Sequence, residues 1–154
     1  MAPVAFGRFS RALVGAERIG LDTAVLIYQL EDVSPYVQLT THLLTNAAMG
    51  RTQLLVSAIS VAEILAGPWK AGDESAARRI EESMRALPGL VVADVTFDAA
   101  SRAARLRGQT NLPLADSLIL ASVMQRKPQL IVTNDAAWRV KGLPFRVLVL
   151  EDYV

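Results

Sequence analysis

A three-layer α/β/α domain with a central, mainly parallel sheet of four to five strands is the fold class this sequence predicts. Short runs that are apolar at successive positions, such as QLLVS (53–57), LIVT (130–133) and FRVLVL (145–150), read as strands buried on both faces. Segments of helical periodicity separate them, and Gly or Pro punctuates the joins.

Residues 1–16 hold Arg8 and Arg11 among small and apolar side chains, with no apolar piece long enough for a signal-peptide core. They are expected to form a flexible or loosely docked arm ahead of a single domain over 17–154. Arg18 to Asp22 predicts a short strand that ends in an acid, and TAVLIYQL then runs on with helical spacing. Ser34 reads as a helix cap with Pro35 at the first helical position, opening a helix that stops at Gly50. Gln53–Ser57 is the second strand, and a helix from Ser57 to Ala66 is closed by Gly67-Pro68. Residues 73–87 form an amphipathic helix ended by Pro88-Gly89, and LVVADV (90–95) is the third strand. Thr96 starts a helix that reaches Gly108, and Pro113 opens another that Pro128 breaks. Leu130–Thr133, a short turn of helix over 136–140, and Phe145–Leu150 complete the pattern.

At 154 residues and 52% hydrophobic, the chain suffices for one core. With no cysteine and His42 as the lone histidine, thiol catalysis, disulfides and thiolate or histidine-cluster metal sites are excluded, so a metal here takes oxygen ligands. The formal charge of +1 gives no polyanion-binding signature by itself. No apolar run is long enough to cross a bilayer, so the mean hydropathy of +0.31 is assigned to a buried sheet and a cytoplasmic location is expected.

Four acids stand where the apolar pattern predicts no charge. Asp22 and Asp135 fall at strand exits, the crevice where open parallel sheets bind ligands. Asp22 could equally cap the following helix, a role that Thr23 can also fill. Glu63 lies in SAISVAEILAG, beside Ser60, Ala66 and Gly67, on a helix expected to be buried on most sides. Asp116 shares a helical stripe with Ile119, Leu120 and Val123, which puts it on the core side of a first turn where the helix dipole favours an anion. Thr133 and Asn134 are candidate supporting residues beside Asp135. Carboxylates about 5 Å apart repel by roughly 3 kcal/mol per pair at an effective dielectric of 20, so four in one place need a cation or must hold protons. An all-oxygen site suits Mg²⁺ or Mn²⁺ and leaves positions for phosphate oxygens, which points to phosphodiester chemistry. Dinucleotide-binding and P-loop folds are excluded by the lack of GxGxxG and GxxxxGK[ST], and an aspartyl-phosphate phosphatase by Ala24, two residues after Asp22.

LDTAVLIY with Asp22, SVAEIL with Glu63, LPLADSLILA with Asp116 and IVTND with Asp135, in this order, resemble the PIN-domain nucleases, and most closely the VapC-type toxins of toxin–antitoxin pairs. The resemblance spans Arg18 to Val154. It implies a PIN-like fold and a Mg²⁺- or Mn²⁺-dependent endoribonuclease, with Asp22, Glu63 and Asp116 at near-invariant positions and Asp135 at a more variable fourth. Two departures stand out. Ser117 follows the third acid where the family often has Ala, and Ala136, Ala137 and Trp138 stand where many members carry an acid or Phe.

The resemblance also implies a homodimer and a VapB-type antitoxin partner whose C-terminal segment lies in an apolar groove, for which Tyr28, Leu30, Tyr36, Val37 and Trp69 are candidates. Arg102, Arg105 and Arg107, just before the Asp116 helix, are candidate contacts to the RNA backbone. A PIN nuclease of RNA processing or decay that is not a toxin, and an inert PIN interaction module, are the alternative readings.

Overall fold

The computed structural model describes residues 3–154. Its elements are α1 (Pro3–Ala12), β1 (Arg18–Leu21), α2 (Thr23–Leu30), α3 (Val37–Ala48), β2 (Gln53–Ser57), α4 (Ala58–Lys70), α5 (Glu74–Ala86), β3 (Leu90–Ala93), α6 (Phe97–Gln109), α7 (Leu114–Met124), β4 (Leu130–Thr133) and β5 (Arg146–Val149). Single 3-10 turns follow β4 (Ala136–Trp138) and β5 (Leu150–Tyr153).

The strands form one wholly parallel sheet in the order β3-β2-β1-β4-β5. The order reverses at β1, between β2 and β4, so the crevice beyond the carboxyl ends of β1 and β4 is the place where such a sheet binds ligands. Alternate strand residues feed two cores, as the period of two requires. Ile19, Leu21, Leu54, Val56, Leu130 and Val132 join buried residues of α1–α5 on one face. Leu55 and Ile131 meet Ile119, Leu120 and Val123 of α7 on the other.

Gly20 controls how close α7 comes. A Cβ there would lie 2.6 Å from Val123 Cγ1 and 2.7 Å from Ile131 Cγ1, so only a residue without a side chain lets the helix settle onto β1. That seating carries the first turn of α7, with Asp116, past the end of the sheet.

Three local expectations are corrected. The N-terminal stretch is no loose arm over its described part: Phe6, Phe9 and Leu13 make an apolar stripe at helical spacing. Phe9 has no exposed surface and meets the Tyr153 ring edge-on at 5.3 Å. Residues 1 and 2 of that stretch lie outside the described residues. The helix assigned to Ser34-Pro35 begins instead at Val37, because Tyr36 is held by stacking on Tyr28 and its carbonyl accepts from Leu39 and Thr40. Finally, α4 runs through Gly67-Pro68 to Lys70. Proline forfeits one N–H late in the helix, and the last carbonyls still find donors: Ala71 N to Gly67 O, and Asp73 N to Pro68 O.

Among the described residues no helix is long and apolar enough to cross a membrane.

Candidate metal and catalytic site

Asp22 follows β1 directly and caps α2, a role the sequence left open to Thr23. Its Oδ1 accepts from Thr23 N at 2.7 Å, and its Oδ2 accepts from Thr133 Oγ1, also at 2.7 Å. The acid is thus tied to the ends of two neighbouring strands. The Thr23 hydroxyl turns away from the cap. Its Oγ1 donates to Glu63 Oε1 at 2.7 Å and accepts from Ser60, whose Oγ lies 2.8 Å off. A two-hydroxyl bridge therefore links α2 to α4 and holds Glu63 toward Asp22.

Glu63 itself is exposed, and α4 buries only Ser60 and Ile64, so the expectation of a helix buried on most sides is corrected. The apolar sequence of α4 is explained by partial contacts of Val61 and Leu65 with the core rather than by enclosure.

Asp116 sits in the first turn of α7, above Ile119, Leu120 and Val123, all buried as the stripe predicts. Asp135, exposed, caps the turn after β4 through Ala137 N at 2.9 Å, and Thr133 Oγ1 accepts from Asp135 N at 3.0 Å. Asn134 takes no part among the acids. Its Nδ2 donates to the Tyr28 hydroxyl at 3.1 Å and its Oδ1 accepts from Glu151 N at 2.8 Å, fastening the turn to α2 and to the C-terminal segment.

The four carboxylates share one electrostatic field. Burial pushes the Asp22 carboxyl from 3.8 up to about 6; hydrogen bonds from Thr133 and Thr23 N pull it down, while the charges of Asp116 and Glu63 add to the rise. Burial also raises Asp116, with the Asp135 and Glu63 charges adding and the Trp138 indole opposing. Trp138 is fully buried, and its N–H leans toward Asp116 without completing a hydrogen bond. The hydroxyl of Ser117, which follows Asp116 in the chain, is also buried and unpartnered.

A divalent cation suits this donor set chemically, since every candidate ligand is a carboxylate oxygen and two of the groups are disfavoured as bare anions. The carboxylates do not converge as they stand. Among the described residues no three Asp, Glu or His side chains lie close enough to hold one ion, because the Asp22, Glu63 and Asp135 oxygens named above are turned toward protein donors. Sharing an ion requires side-chain rotation, for which Asp116, with no complete hydrogen bond, is the freest.

Ser60 and Trp138 are the members that the sequence did not mark. Ser60 stood in the small-residue face beside Glu63, and a serine three residues before an acid carries little signal. Trp138 stood in the stretch 136–138 that departs from the family pattern, with nothing there to mark its indole.

The other candidates are dispersed. Arg102, Arg105 and Arg107 are exposed on α6. Arg102 lines a cavity at the far end of α7, roughly 12 Å from Asp116 at 1.5 Å per helical residue. Of the five groove candidates, only Leu30 lines the cavity of about 380 Å³ between α2, α4 and α5, where it meets Ile27, Ile64, Pro68 and Ile80 with Glu63 at the border. Tyr28 stacks on Tyr36, ring centroids 4.7 Å apart, on the side of Asn134 and Glu151. Val37 is half-buried at the start of α3, and Trp69 is 54% exposed in the last turn of α4.

Fold and acids together define a class: a parallel α/β domain with acids placed around the switch point of its sheet. The PIN-domain family model matches residues 19–142, most of the chain, and the chain belongs to that family. PIN domains are nucleases that generally use divalent metal ions.

Solved structures share the fold. A VapBC complex from Salmonella typhimurium bound to DNA is 18% identical with a TM-score of 0.67, covering 87% of this chain and 98% of that one. A VapBC complex from Rickettsia felis bound to a promoter DNA fragment is 17% identical with a TM-score of 0.64, covering 86% and 98%. A toxin–antitoxin complex from Klebsiella pneumoniae is 22% identical with a TM-score of 0.60, covering 86% and 97%. No curated protein sequence matches the chain.

Proposed function

We propose that this PIN-domain protein is a divalent-metal-dependent endoribonuclease and the toxin of a toxin–antitoxin pair. One observation carries the reading: Asp22 and Asp116, from different elements, are both raised in pKa by burial first, with the neighbouring charges of Asp116 and Glu63 adding to the rise at Asp22, and those of Asp135 and Glu63 to the rise at Asp116. Asp22, Asp116 and Asp135 would hold Mg²⁺ or Mn²⁺, with Glu63 as a further ligand or as the base that orients water. Bound there, the cation supplies a more acidic water and positive charge against the scissile phosphate. Thr133 and Thr23 N orient Asp22, and Thr23 with Ser60 orients Glu63. No side-chain nucleophile is needed.

The test is cleavage of an RNA pool with Mg²⁺ or Mn²⁺, beside the chelated protein and an Asp116→Asn control. Metal-dependent cutting lost in the control is expected; cutting by Asp116→Asn at the parent rate overturns the assignment.

The toxin role rests on likeness to VapBC complexes and on the apolar cavity bordered by Glu63, which fits an apolar segment of a VapB-type antitoxin reaching the acids. Inhibition of cleavage by the product of an adjacent short reading frame is expected, and an Ile80→Glu variant in the cavity should escape it. A homodimer is expected, tested by light scattering after gel filtration.

A further inference from the structure

We propose that the amino-terminal edge of the sheet, opposite the acids, is a second nucleic-acid contact that grips a single RNA strand through Arg18, Arg102, Lys127 and Arg146, with a base set against Phe145. The acids and these bases lie at opposite ends of the same strands, so a net charge of +1 conceals a separation of charge.

Hydrogen bonds set the bases side by side. Arg18 opens β1 and its Nε donates to Lys127 O at 2.8 Å, while Arg18 O accepts from Gln129 N at 2.9 Å. Arg146 opens β5, bonds through its backbone N to Gln129 O, and donates from Nη2 to Ala12 O at 3.0 Å. In each arginine one guanidinium N–H grips a carbonyl, which fixes the group and leaves its other donors for an external acceptor. Among the described residues neither arginine, nor Arg102, nor Lys127 has an ion pair. Lys127 holds φ at 53°, a conformation in which Gly or Asn is the usual residue after a helix.

Arg102 and Lys127 share with Phe145 a cavity of about 500 Å³, within the range that takes a small ligand. Asp98 is the acid in its lining, and Glu17 precedes Arg18; two acids do not neutralise four bases. Positive charges strung along an edge, rather than focused on one point, match a ligand of repeating phosphates, and Phe145, half-buried against the core, brings the rest of its ring to the cavity wall, where a base can pack. Exposed Arg105 and Arg107 continue the charge along α6 toward residues 110–113 and the Asp116 turn. The identity of the strand as RNA rests on the nuclease reading; the charge and stacking do not.

Fluorescence anisotropy of an end-labelled, unstructured RNA of about 15 nucleotides tests this, using Asp116→Asn protein in chelator so that cleavage and metal both drop out. The added triple change Arg102→Gln, Lys127→Gln and Arg146→Gln is expected to weaken binding at least about tenfold and to make the log–log salt slope shallower by about 2, at roughly 0.7 per lost phosphate contact. Lys127→Gly removes a charge while relieving the positive φ, so the fold is kept, and about threefold weaker binding is expected. Phe145→Leu should weaken binding about fivefold with the slope unchanged, the mark of lost stacking. Parent-like affinity and slope in both the triple variant and Lys127→Gly overturn the proposal, as does capture by phosphatidylserine-rich vesicles with no RNA binding. A parent protein that binds RNA this way yet never cuts it would remove the nuclease reading and leave this contact standing.

Discussion

Asp22 and Asp116 differ from Glu63 and Asp135 in a way that sorts the four acids into an inner and a rim pair. The inner two are partly enclosed, lie at the switch point, and are pushed up in pKa by burial first and neighbouring charge second. The rim two are exposed and are each held by a donor, Thr23 Oγ1 for Glu63 and Ala137 N for Asp135. Desolvation, rather than carboxylate number, therefore marks the chemical centre. A buried anion destabilises the fold and binds a cation more strongly for the same reason.

The largest expected effect follows from that cost. Asp22→Asn and Asp116→Asn should each lower metal-dependent cleavage by at least about 100-fold, as expected when a ligand for catalytic metal is lost. Both should also raise the melting temperature of the metal-free protein at pH 7, because a disfavoured buried charge is removed. Glu63→Gln and Asp135→Asn, at the rim, should cost about tenfold in rate and leave the melting temperature unchanged. Rim variants that match the inner ones in both assays would erase the distinction.

Acidity sharpens the same contrast. The folded-state pKa of Asp22 is raised, from 3.8 to about 6, so its contribution to stability is fully present below pH 3.8 and is lost as pH rises through about 6. Divalent-ion affinity runs the other way, rising as the carboxyl ionises. Calorimetric Mn²⁺ titrations at pH 5, 6 and 7 should show affinity climbing about tenfold per pH unit below 6 and flattening above it. The Asp22→Asn protein should lose that dependence around pH 6; an unchanged profile would move the titrating group elsewhere.

How far the sequence discloses this site depends on which force places each residue. The parallel sheet was legible because its strands are apolar on both faces, and Asp116 because its helical stripe continues into Ile119, Leu120 and Val123. The apolar sequence around Glu63 reads as an enclosed helix, whereas α4 spends much of that character on partial contacts and an open cavity. Pro68 seemed a stop, yet the loss of one late N–H is tolerated. In α1 two arginines among small residues mask the stripe of Phe6, Phe9 and Leu13. Long-range partners left no local trace: the Thr23–Ser60 contact spans 37 positions and Asp22–Thr133 spans 111.

Gly20 gives a test of how the inner pair is built. Adding a methyl group puts Cβ within 2.7 Å of both Val123 and Ile131, and close packing makes the helix shift rather than compress. Gly20→Ala should destabilise the fold by about 1–3 kcal/mol, the usual cost of overpacking. Because α7 carries Asp116 but neither rim acid, the displaced helix should lower cleavage beyond what the loss of folded protein explains. Denaturant melts with cleavage rates normalised to folded protein separate the two effects.

The smallest change concerns the indole beneath Asp116. Trp138 fills its core position as a Phe would, but its N–H favours the ionised form of Asp116. Replacing it with Phe keeps most of the volume and removes the donor, which leaves no stranded N–H behind, so stability should change by less than about 1.5 kcal/mol. Asp116 would then meet burial and the charges of Asp135 and Glu63 without opposition, and its pKa should rise. Weaker Mn²⁺ binding by a few-fold, with the deficit greatest at acid pH and fading as pH rises, is the expected result. A deficit that is the same at every pH would make Trp138 a packing residue alone, with the inner carboxylate held by α7 and not by the ring below it.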